Sequence, residues 1–254
     1  DGPEQGDESI LWCWYSMSRR HAIACERNKK PYIIGPNVLF YSERMPRIDN
    51  EEKLLCDSQY CLACVTECDR YADLIRKNCH GPLASRIVVA PCALPDSFLD
   101  SELSSQCNDD NGKAIVYVKH TKVPDSVFNV LDRKDVTVLH YGSFTRRELL
   151  DAARKASFCI YVSLEDRCPV AAAEIMATGC RVIGLRRCLP YVADECSYVT
   201  AFTESEITRA INAVLERCSK QHVKEYANQT FRASRIVCDL LQKLKPLLHT
   251  ITAC

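Results

Sequence analysis

Short apolar β-type runs alternate with amphipathic helical segments along most of the 254-residue chain. This alternation is typical of βαβ units, in which helices join parallel strands and cover the faces of the sheet. The series is interrupted once, at residues 101–113, by a polar stretch without apolar periodicity, which predicts a linker. We therefore expect an α/β protein with two parallel sheets, one on each side of this stretch.

Each half of the chain supplies its own set of strands and helices. The strand candidates are "ILWCWYS", "PYIIGPNVLF", "LACVT" and "SRIVVAPCAL" in the first half, and "KAIVYVK", "DVTVLHYG", "SFCIYVSL" and "CRVIGL" in the second. Thr145 and Glu148 form a Thr-x-x-Glu capping box that predicts a helix start. We expect an N-terminal Rossmann-like domain over 1–105, a second domain over 106–222, and a closing helix over 223–254 that packs back across both.

Composition excludes several classes of partner. Lysine plus arginine and aspartate plus glutamate number 33 each, so the charge balance does not favour nucleic acid or an anionic membrane surface. No apolar run approaches the roughly 20 residues that a membrane-spanning helix needs. We therefore expect neither nucleic-acid binding nor a transmembrane segment.

Seventeen cysteines are many for a chain of this length. A disulfide-rich interaction protein is one interpretation, but the count is odd and the chain exceeds the size that needs covalent staples. Cys64 and Cys159 lie in apolar runs, where cysteine acts as a small hydrophobic residue. The group Cys56, Cys61, Cys64 and Cys68 holds a single C-x-x-C without a second pair, which argues against zinc. We expect reduced thiols, a cytoplasmic location and no metal site.

The stretch "EDRCPVAAAEIMATGCRVIG", residues 165–184, carries the most chemical information. Pro169 suits the first position of a helix, and the amides that follow it lack partners inside that helix, which attracts a diphosphate. Glu174 lies in the second turn, where it could accept hydrogen bonds from a vicinal diol such as a ribose. Asp166 in the preceding loop could hold further hydroxyls, and Gly179 is expected to end the helix in a left-handed conformation.

This stretch resembles a known motif. "DRCPVAAAEIMATGCRVIG" is similar to the D-x-C-P-x-x-x-x-E-x-M-x-x-G-x-x-V-I form of the acid-x7-Glu motif in retaining GT-B glycosyltransferases of the GT4 type, with seven residues between Asp166 and Glu174. Flanking stretches extend the resemblance over most of residues 31–200. It implies an α/β fold of GT-B type: two Rossmann-like parallel-sheet domains, here with the N-terminal one small or truncated. The donor nucleotide sugar would bind the second domain.

The resemblance also implies roles for individual residues. Asp166 would contact the donor sugar, with Glu165 as a substitute, and Glu174 would bind the nucleotide ribose. Lys119 and Lys122 would neutralise the departing diphosphate. The remaining donor-binding positions are Cys168, Pro169, Val170, Ala171, Gly142 and His140. Catalysis would rest on electrostatic support of the leaving group, without a metal ion.

The implied function is that of a retaining, metal-independent glycosyltransferase. Its donor would be a UDP- or GDP-sugar, and its partner a glycan or another hydroxyl acceptor. The alternative is a glycosyltransferase-like module that binds nucleotide sugars with little or no turnover. Two features of the sequence favour that alternative. The chain has only eight glycines, and its first acid is an aspartate where the family has glutamate. The residues leave the sugar, the base and the oligomeric state open.

Overall fold

The computed structural model describes residues 11–13, 15–36, 55, 57–79, 81–106, 112–164, 166, 168–192 and 197–249. The chain divides into two compact units. Unit 1 comprises Asp1–Pro91 and Val237–Cys254, and unit 2 comprises Cys92–Ile236. This division into compact units does not test whether separately folding domains end at residues 105 and 222, so those boundaries stay predictions.

Unit 1 is built on a four-stranded parallel sheet in the order β1-β2-β3-β4. The strands are β1 (Leu11–Cys13), β2 (Tyr32–Ile34), β3 (Cys61–Thr66) and β4 (Ile87–Val89). Its connecting helices are α1 (Tyr15–Arg27) and α2 (Asp69–Asn78). All six residues of β3 are buried, as expected for an inner strand covered on both faces.

The core of unit 1 forms on both faces of this sheet. Cys64 packs with Tyr32 and Ile34 on one face, which confirms its expected role as a small hydrophobic residue. The chain leaves β2 at Gly35, whose φ is +106° and whose Cβ, if present, would lie 2.0 Å from the Val65 carbonyl oxygen. Only glycine fits this sharp exit.

Unit 2 is built on a five-stranded parallel sheet in the order β6-β5-β7-β8-β9. The strands are β5 (Ala114–Lys119), β6 (Val136–His140), β7 (Phe158–Ser163), β8 (Arg181–Leu185) and β9 (Tyr198–Val199). The helices that begin in this unit are α3 (Asp96–Ser104), α4 (Asp125–Val130), α5 (Arg146–Lys155), α6 (Val170–Ala177), α7 (Glu204–Arg217), α8 (Lys220–Phe231) and α9 (Ala233–His249). The capping box at Thr145 and Glu148 is confirmed at the start of α5.

The strand order of unit 2 reverses at β5. The chain passes from β5 to β6 on one side and then crosses back to β7 on the other, so both strands pair with β5 in parallel. Lys119 and Ser163 are opposite each other at the carboxyl ends of β5 and β7. Ligands of open α/β sheets bind at the carboxyl ends where the order reverses, so this edge is the expected site.

The polar stretch 101–113 is not a linker over its whole length, because residues 101–104 belong to α3. This helix is anchored by Leu99, which is buried, and by Glu102, whose carboxylate accepts from the Arg154 guanidinium at 3.2 Å. The stretch lacks apolar periodicity because an ion pair, rather than a hydrophobic stripe, holds its last turn.

The closing helix expected from residue 223 onward is interrupted at Arg232 by a bridge to Leu94. The Leu94 N–H donates to the Phe231 carbonyl at 2.7 Å, and the Ala233 N–H donates to the Leu94 carbonyl at 3.1 Å. The chain therefore forms two helices, α8 and α9, where the periodicity predicts one.

The twelve cysteines whose side chains the structure describes are present as thiols, and nine of them are buried. Within the described ranges, no helix combines the length and the apolar character needed to span a bilayer.

Candidate functional site

A buried carboxylate lies at the reversal point of the unit 2 sheet. Asp166 follows β7, and its side chain is 3% exposed. Its Oδ2 accepts from Lys119 Nζ at 2.8 Å and from the Tyr161 hydroxyl at 2.5 Å. A buried carboxylate is tolerated only with such partners, and here they come from the two neighbouring strands β5 and β7. The sequence motif and the sheet topology therefore indicate the same edge of the unit 2 sheet as the candidate site.

Two buried tyrosines, Tyr161 and Tyr117, lie next to this carboxylate. Tyr161 stacks on Tyr117, with ring centroids 4.7 Å apart. Burial, followed by the nearby Asp166 carboxylate, raises the pKa of both hydroxyls. Because Tyr161 thus stays protonated, it acts as a permanent hydrogen-bond donor and Asp166 as the acceptor.

Aromatic side chains form the outer side of the ion pair. Lys119 Nζ lies 5.2 Å from the centroid of the Tyr141 ring, which is more than half exposed. His120 adopts a left-handed conformation at φ +55° and meets the same ring edge-on at 5.2 Å. His140 at the end of β6 is exposed, and Gly142 turns the chain at φ +86°. Lys119, His120 and Tyr141 thus form a polar, partly aromatic surface beside Asp166.

The start of α6 differs by one residue from the expectation. Pro169 is the N-cap, with φ −75° and ψ 65°, rather than the first helical residue. The Val170 N–H donates to the Cys168 carbonyl at 2.8 Å and closes an inverse γ-turn, so this amide is already used. The amides of Ala171 and Ala172 belong to the first turn, where a helix offers its own N–H groups no acceptor.

Glu174 on α6 is held by an arginine that the motif does not contain. Its side chain is 13% exposed, and its Oε1 accepts from Arg146 Nε at 2.6 Å. Arg146 begins α5 and also lies over the Phe98 ring, 4.7 Å from its centroid. The carboxylate is therefore turned toward the neighbouring helix rather than to bulk water. One such bond leaves most of its capacity as an acceptor for a ligand.

Thiols lie near Asp166 among the described residues. Contact with the Cys168 thiol, and then burial, raise the pKa of Cys92. Burial likewise raises the pKa of Cys188, whose Sγ donates to the Ser163 carbonyl at 3.2 Å. Neutral thiols pack closely without adding a second negative charge, so Asp166 and Lys119 can remain an ion pair.

The structure brings some of the sequence-predicted residues together and leaves others apart. Lys119 reaches Asp166, whereas Lys122 is exposed in the loop beyond β5. Cys168 and Pro169 lie in the loop between Asp166 and α6. Glu165 lies outside the described residues.

Two residues of this site, Tyr161 and Arg146, are not predicted above, although the sequence around each indicates that its side chain needs a partner. Tyr161 lies in the buried run "FCIYV", and a buried tyrosine hydroxyl requires a hydrogen-bond partner. Arg146 opens α5, where the helix dipole disfavours a cation. A positive charge in that position indicates a nearby carboxylate, and Glu174 is that carboxylate. Among the described residues, no group of three His, Cys, Asp or Glu side chains could hold a metal ion.

Comparison by sequence finds no relative: no family model matches the chain, and no curated protein matches it. Comparison by structure does. A sucrose-phosphate synthase from Thermosynechococcus elongatus matches with a TM-score of 0.65 at 13% identity, over 95% of this chain and 74% of that one. A UDP-forming trehalose-phosphate synthase from Burkholderia xenovorans matches with a TM-score of 0.65 at 11% identity, over 94% and 74%.

A third solved structure is HepE of Anabaena in complex with UDP and glucose. It matches with a TM-score of 0.61 at 11% identity, over 92% of this chain and 75% of that one. At sequence identities this low, these TM-scores show a likeness of fold alone. The chain has an α/β fold of GT-B type with two parallel sheets, as its sequence predicts.

Proposed function

We propose that this chain is a glycosyltransferase that takes a sugar from a nucleotide-diphosphate donor and transfers it to a hydroxyl acceptor. The proposal includes retention of anomeric configuration and independence from metal ions. The observation that carries it is the buried Lys119–Asp166 pair at the reversal point of the sheet, one short loop before the helix that carries Glu174. Ligands of open α/β folds bind at this edge of the sheet, which supports the proposal.

Each group has a chemical task in this proposal. Glu174 accepts hydrogen bonds from the two ribose hydroxyls, sharing its carboxylate with Arg146. The amides of Ala171 and Ala172, at the positive end of the α6 dipole, bind phosphate oxygens. Asp166 accepts from hydroxyls of the donor sugar.

Lys119 supplies the electrostatic part of catalysis. Negative charge grows on the diphosphate as the bond between sugar and phosphate breaks, and a fixed cation stabilises that charge best where water is excluded. The Lys119 side chain is 19% exposed, and Asp166 fixes its position. A cation that is already oriented needs little reorganisation at the moment of reaction.

The solved structures of similar fold favour uridine as the base. HepE has been crystallised with UDP and glucose and with UDP-glucose. The trehalose-phosphate synthase is described as UDP-forming. We therefore place UDP-sugars before GDP-sugars as donors of this chain.

A second candidate function is a module that binds nucleotide sugars with little turnover. The pairing of both acids with internal cations favours it, because Asp166 contacts Lys119 and Glu174 contacts Arg146. A ligand must share or displace these partners, which costs binding free energy. Acids that are engaged in this way serve a binding module as well as an enzyme.

Donor binding and donor turnover separate the two candidates. Thermal unfolding is measured with UDP-glucose and GDP-mannose for the wild type, Glu174→Ala and the control Glu216→Ala, which removes an exposed glutamate of α7. The true donor should stabilise the wild type and the control by roughly 2.7 kcal/mol at one hundred times its dissociation constant, and not Glu174→Ala. Release of nucleotide over hours supports the enzyme, and binding without release supports the module. Equal stabilisation of all three proteins would contradict the role of Glu174, and stabilisation of none of them would contradict both candidates.

We also propose a cytoplasmic location, supported by the thiol state of the described cysteines. The protein is isolated without reductant, denatured and titrated with a thiol reagent. Close to seventeen reactive thiols are expected if every cysteine is reduced. A count of only a few would contradict this location.

A further inference from the structure

A pocket opens at the carboxyl edge of the unit 2 sheet, beyond β8 and β9. The two strands pair in parallel, with Leu185 opposite Val199, and both end at this edge. The pocket has a volume of about 360 Å³. It is lined by Leu185, Arg186, Arg187, Tyr198, Val199 and Thr200. We call it the arginine pocket.

The arginine pocket is positively charged. Arg186 and Arg187 are both exposed and belong to the single turn of 3-10 helix that follows β8. Within the described part of the chain, its six lining residues include these two guanidinium groups and no carboxylate. Glu206 contacts the lining residue Thr200 and keeps its negative charge, which lies near the positive charge of Arg209. The lining therefore carries two positive charges.

Tyr198 gives the pocket a fixed wall. Its hydroxyl donates to the Leu189 carbonyl at 3.0 Å, and its own carbonyl accepts from Arg209 at 2.8 Å. The Arg186 guanidinium lies over the anchored ring, 5.4 Å from its centroid. A cation held on an aromatic face loses less conformational freedom when it binds an anion, so part of the entropy cost of binding is met in advance.

The pocket adjoins the candidate donor site. Cys188, the last residue of the same turn, donates its thiol to the carbonyl of Ser163, where β7 ends. The backbone of Asp166 also hydrogen-bonds to this thiol. The turn that carries both arginines is therefore attached to the strand end that carries Asp166, so a ligand in the pocket would lie beside the proposed donor.

We propose that the arginine pocket binds the phosphate monoester of a small phosphorylated molecule. A phosphate monoester carries a charge of about −1.5 to −2 at neutral pH, which two guanidinium groups match. The planar fork of arginine binds phosphate oxygens in pairs, which suits it to this ligand more than lysine. The volume is at the lower end of the range for small-molecule sites, enough for a phosphate and a sugar-sized body. That this ligand is the acceptor rests on the proposed function.

Isothermal titration with glucose 6-phosphate, and with glucose as the unphosphorylated probe, tests the pocket. The proteins are the wild type, the double variant Arg186→Ala/Arg187→Ala, and the control Arg147→Ala, whose side chain is 91% exposed on α5. Glucose 6-phosphate should bind the wild type and the control with saturation, and the double variant about tenfold more weakly or worse. Glucose should not bind. The double variant Arg186→Lys/Arg187→Lys keeps the charge but loses the planar fork, so its affinity should lie between those of the wild type and the alanine double variant.

Glu174→Ala makes failure of the pocket distinguishable from failure of the proposed function. Phosphate binding that persists in Glu174→Ala supports a separate pocket, even if no protein binds a nucleotide sugar and the proposed function is wrong. Phosphate binding that UDP displaces and that Glu174→Ala weakens would assign the anion to the donor site and overturn the proposal. Unchanged binding in the double arginine variant, or no saturable binding by the wild type at millimolar concentration, would also overturn it.

Discussion

Replacing Asp166 with asparagine tests the centre of the candidate site. The substitution keeps the size of the side chain and its bond to the Tyr161 hydroxyl, but it removes the charge that faces Lys119. Breaking a buried pair by removing one partner costs about 3–5 kcal/mol, because the other charge stays buried alone. Lys119 is 19% exposed and keeps some solvation, so we expect Asp166→Asn to cost about 3 kcal/mol.

The reverse substitution should cost more. Lys119→Met leaves the Asp166 carboxylate, which is 3% exposed, with the Tyr161 hydroxyl as its remaining partner at Oδ2. We expect a loss of about 4 kcal/mol for this variant. The double variant Asp166→Asn/Lys119→Met removes both charges, and it should therefore lose roughly 2 kcal/mol less than the sum of the single losses.

Urea unfolding at neutral pH, followed by far-UV circular dichroism, measures these free energies of unfolding. Since the chain has two compact units, each variant is compared by the transition that moves, not by a single overall midpoint. The control is Asp73→Asn, which breaks the exposed pair between Asp73 and Arg76 and should cost below about 0.5 kcal/mol. Additive losses in the double variant, or an Asp166→Asn loss no larger than that of the control, would refute the buried ion pair.

Three further predictions concern the same unit. Tyr161→Phe removes a hydrogen bond to the charged Asp166 and should cost about 1.5–3 kcal/mol in urea unfolding; no loss would mean that this bond does not form. Gly112→Ala should cost about 1 kcal/mol because the φ of Gly112 is +75°. Gly179→Ala should cost roughly 2–4 kcal/mol, because the φ of Gly179 is +90° and the new Cβ would lie 3.0 Å from the Lys220 carbonyl oxygen. Equal losses for the two variants would exclude this contact. Hydrogen bonds from the amide and the hydroxyl of Thr145, the N-cap of α5, hold the pKa of Glu148 below its ordinary value. The contribution of Glu148 to the free energy of unfolding is therefore complete above about pH 4.3 and disappears as the pH falls through the lowered pKa. In urea titrations over that range the stability of Glu148→Gln should lack this component, and identical pH profiles would contradict it.

The sequence predicts the fold well because its signals are local. Strand β7 is a run of buried apolar residues, and α5 begins at a capping box, so their limits fall within a residue or so of those expected. The alternation of such elements determines the parallel sheets and therefore the edge where the site lies. None of these inferences needs a contact between distant residues.

The side chains that hold the two acids were not predictable in the same way. The sequence predicts that Lys119 binds the diphosphate and does not predict its contact with Asp166. Lys119 lies 47 positions from Asp166 and reaches it only because β5 and β7 are neighbours. Arg146 is 28 positions from Glu174 and meets it through the packing of α5 on α6. Which residues meet is decided by strand order and helix packing, and periodicity does not encode either.

Strand β5 pairs on both sides over almost its whole length, with Val118 opposite His140 on one neighbour and opposite Val162 on the other. Side chains alternate between the two faces of a strand, so a slip by one residue would move the Lys119 ammonium to the opposite face of the sheet. The site is therefore vulnerable at a distance. An insertion or deletion inside the strand, between Ile115 and Tyr117, would abolish it while leaving every one of its residues in the chain.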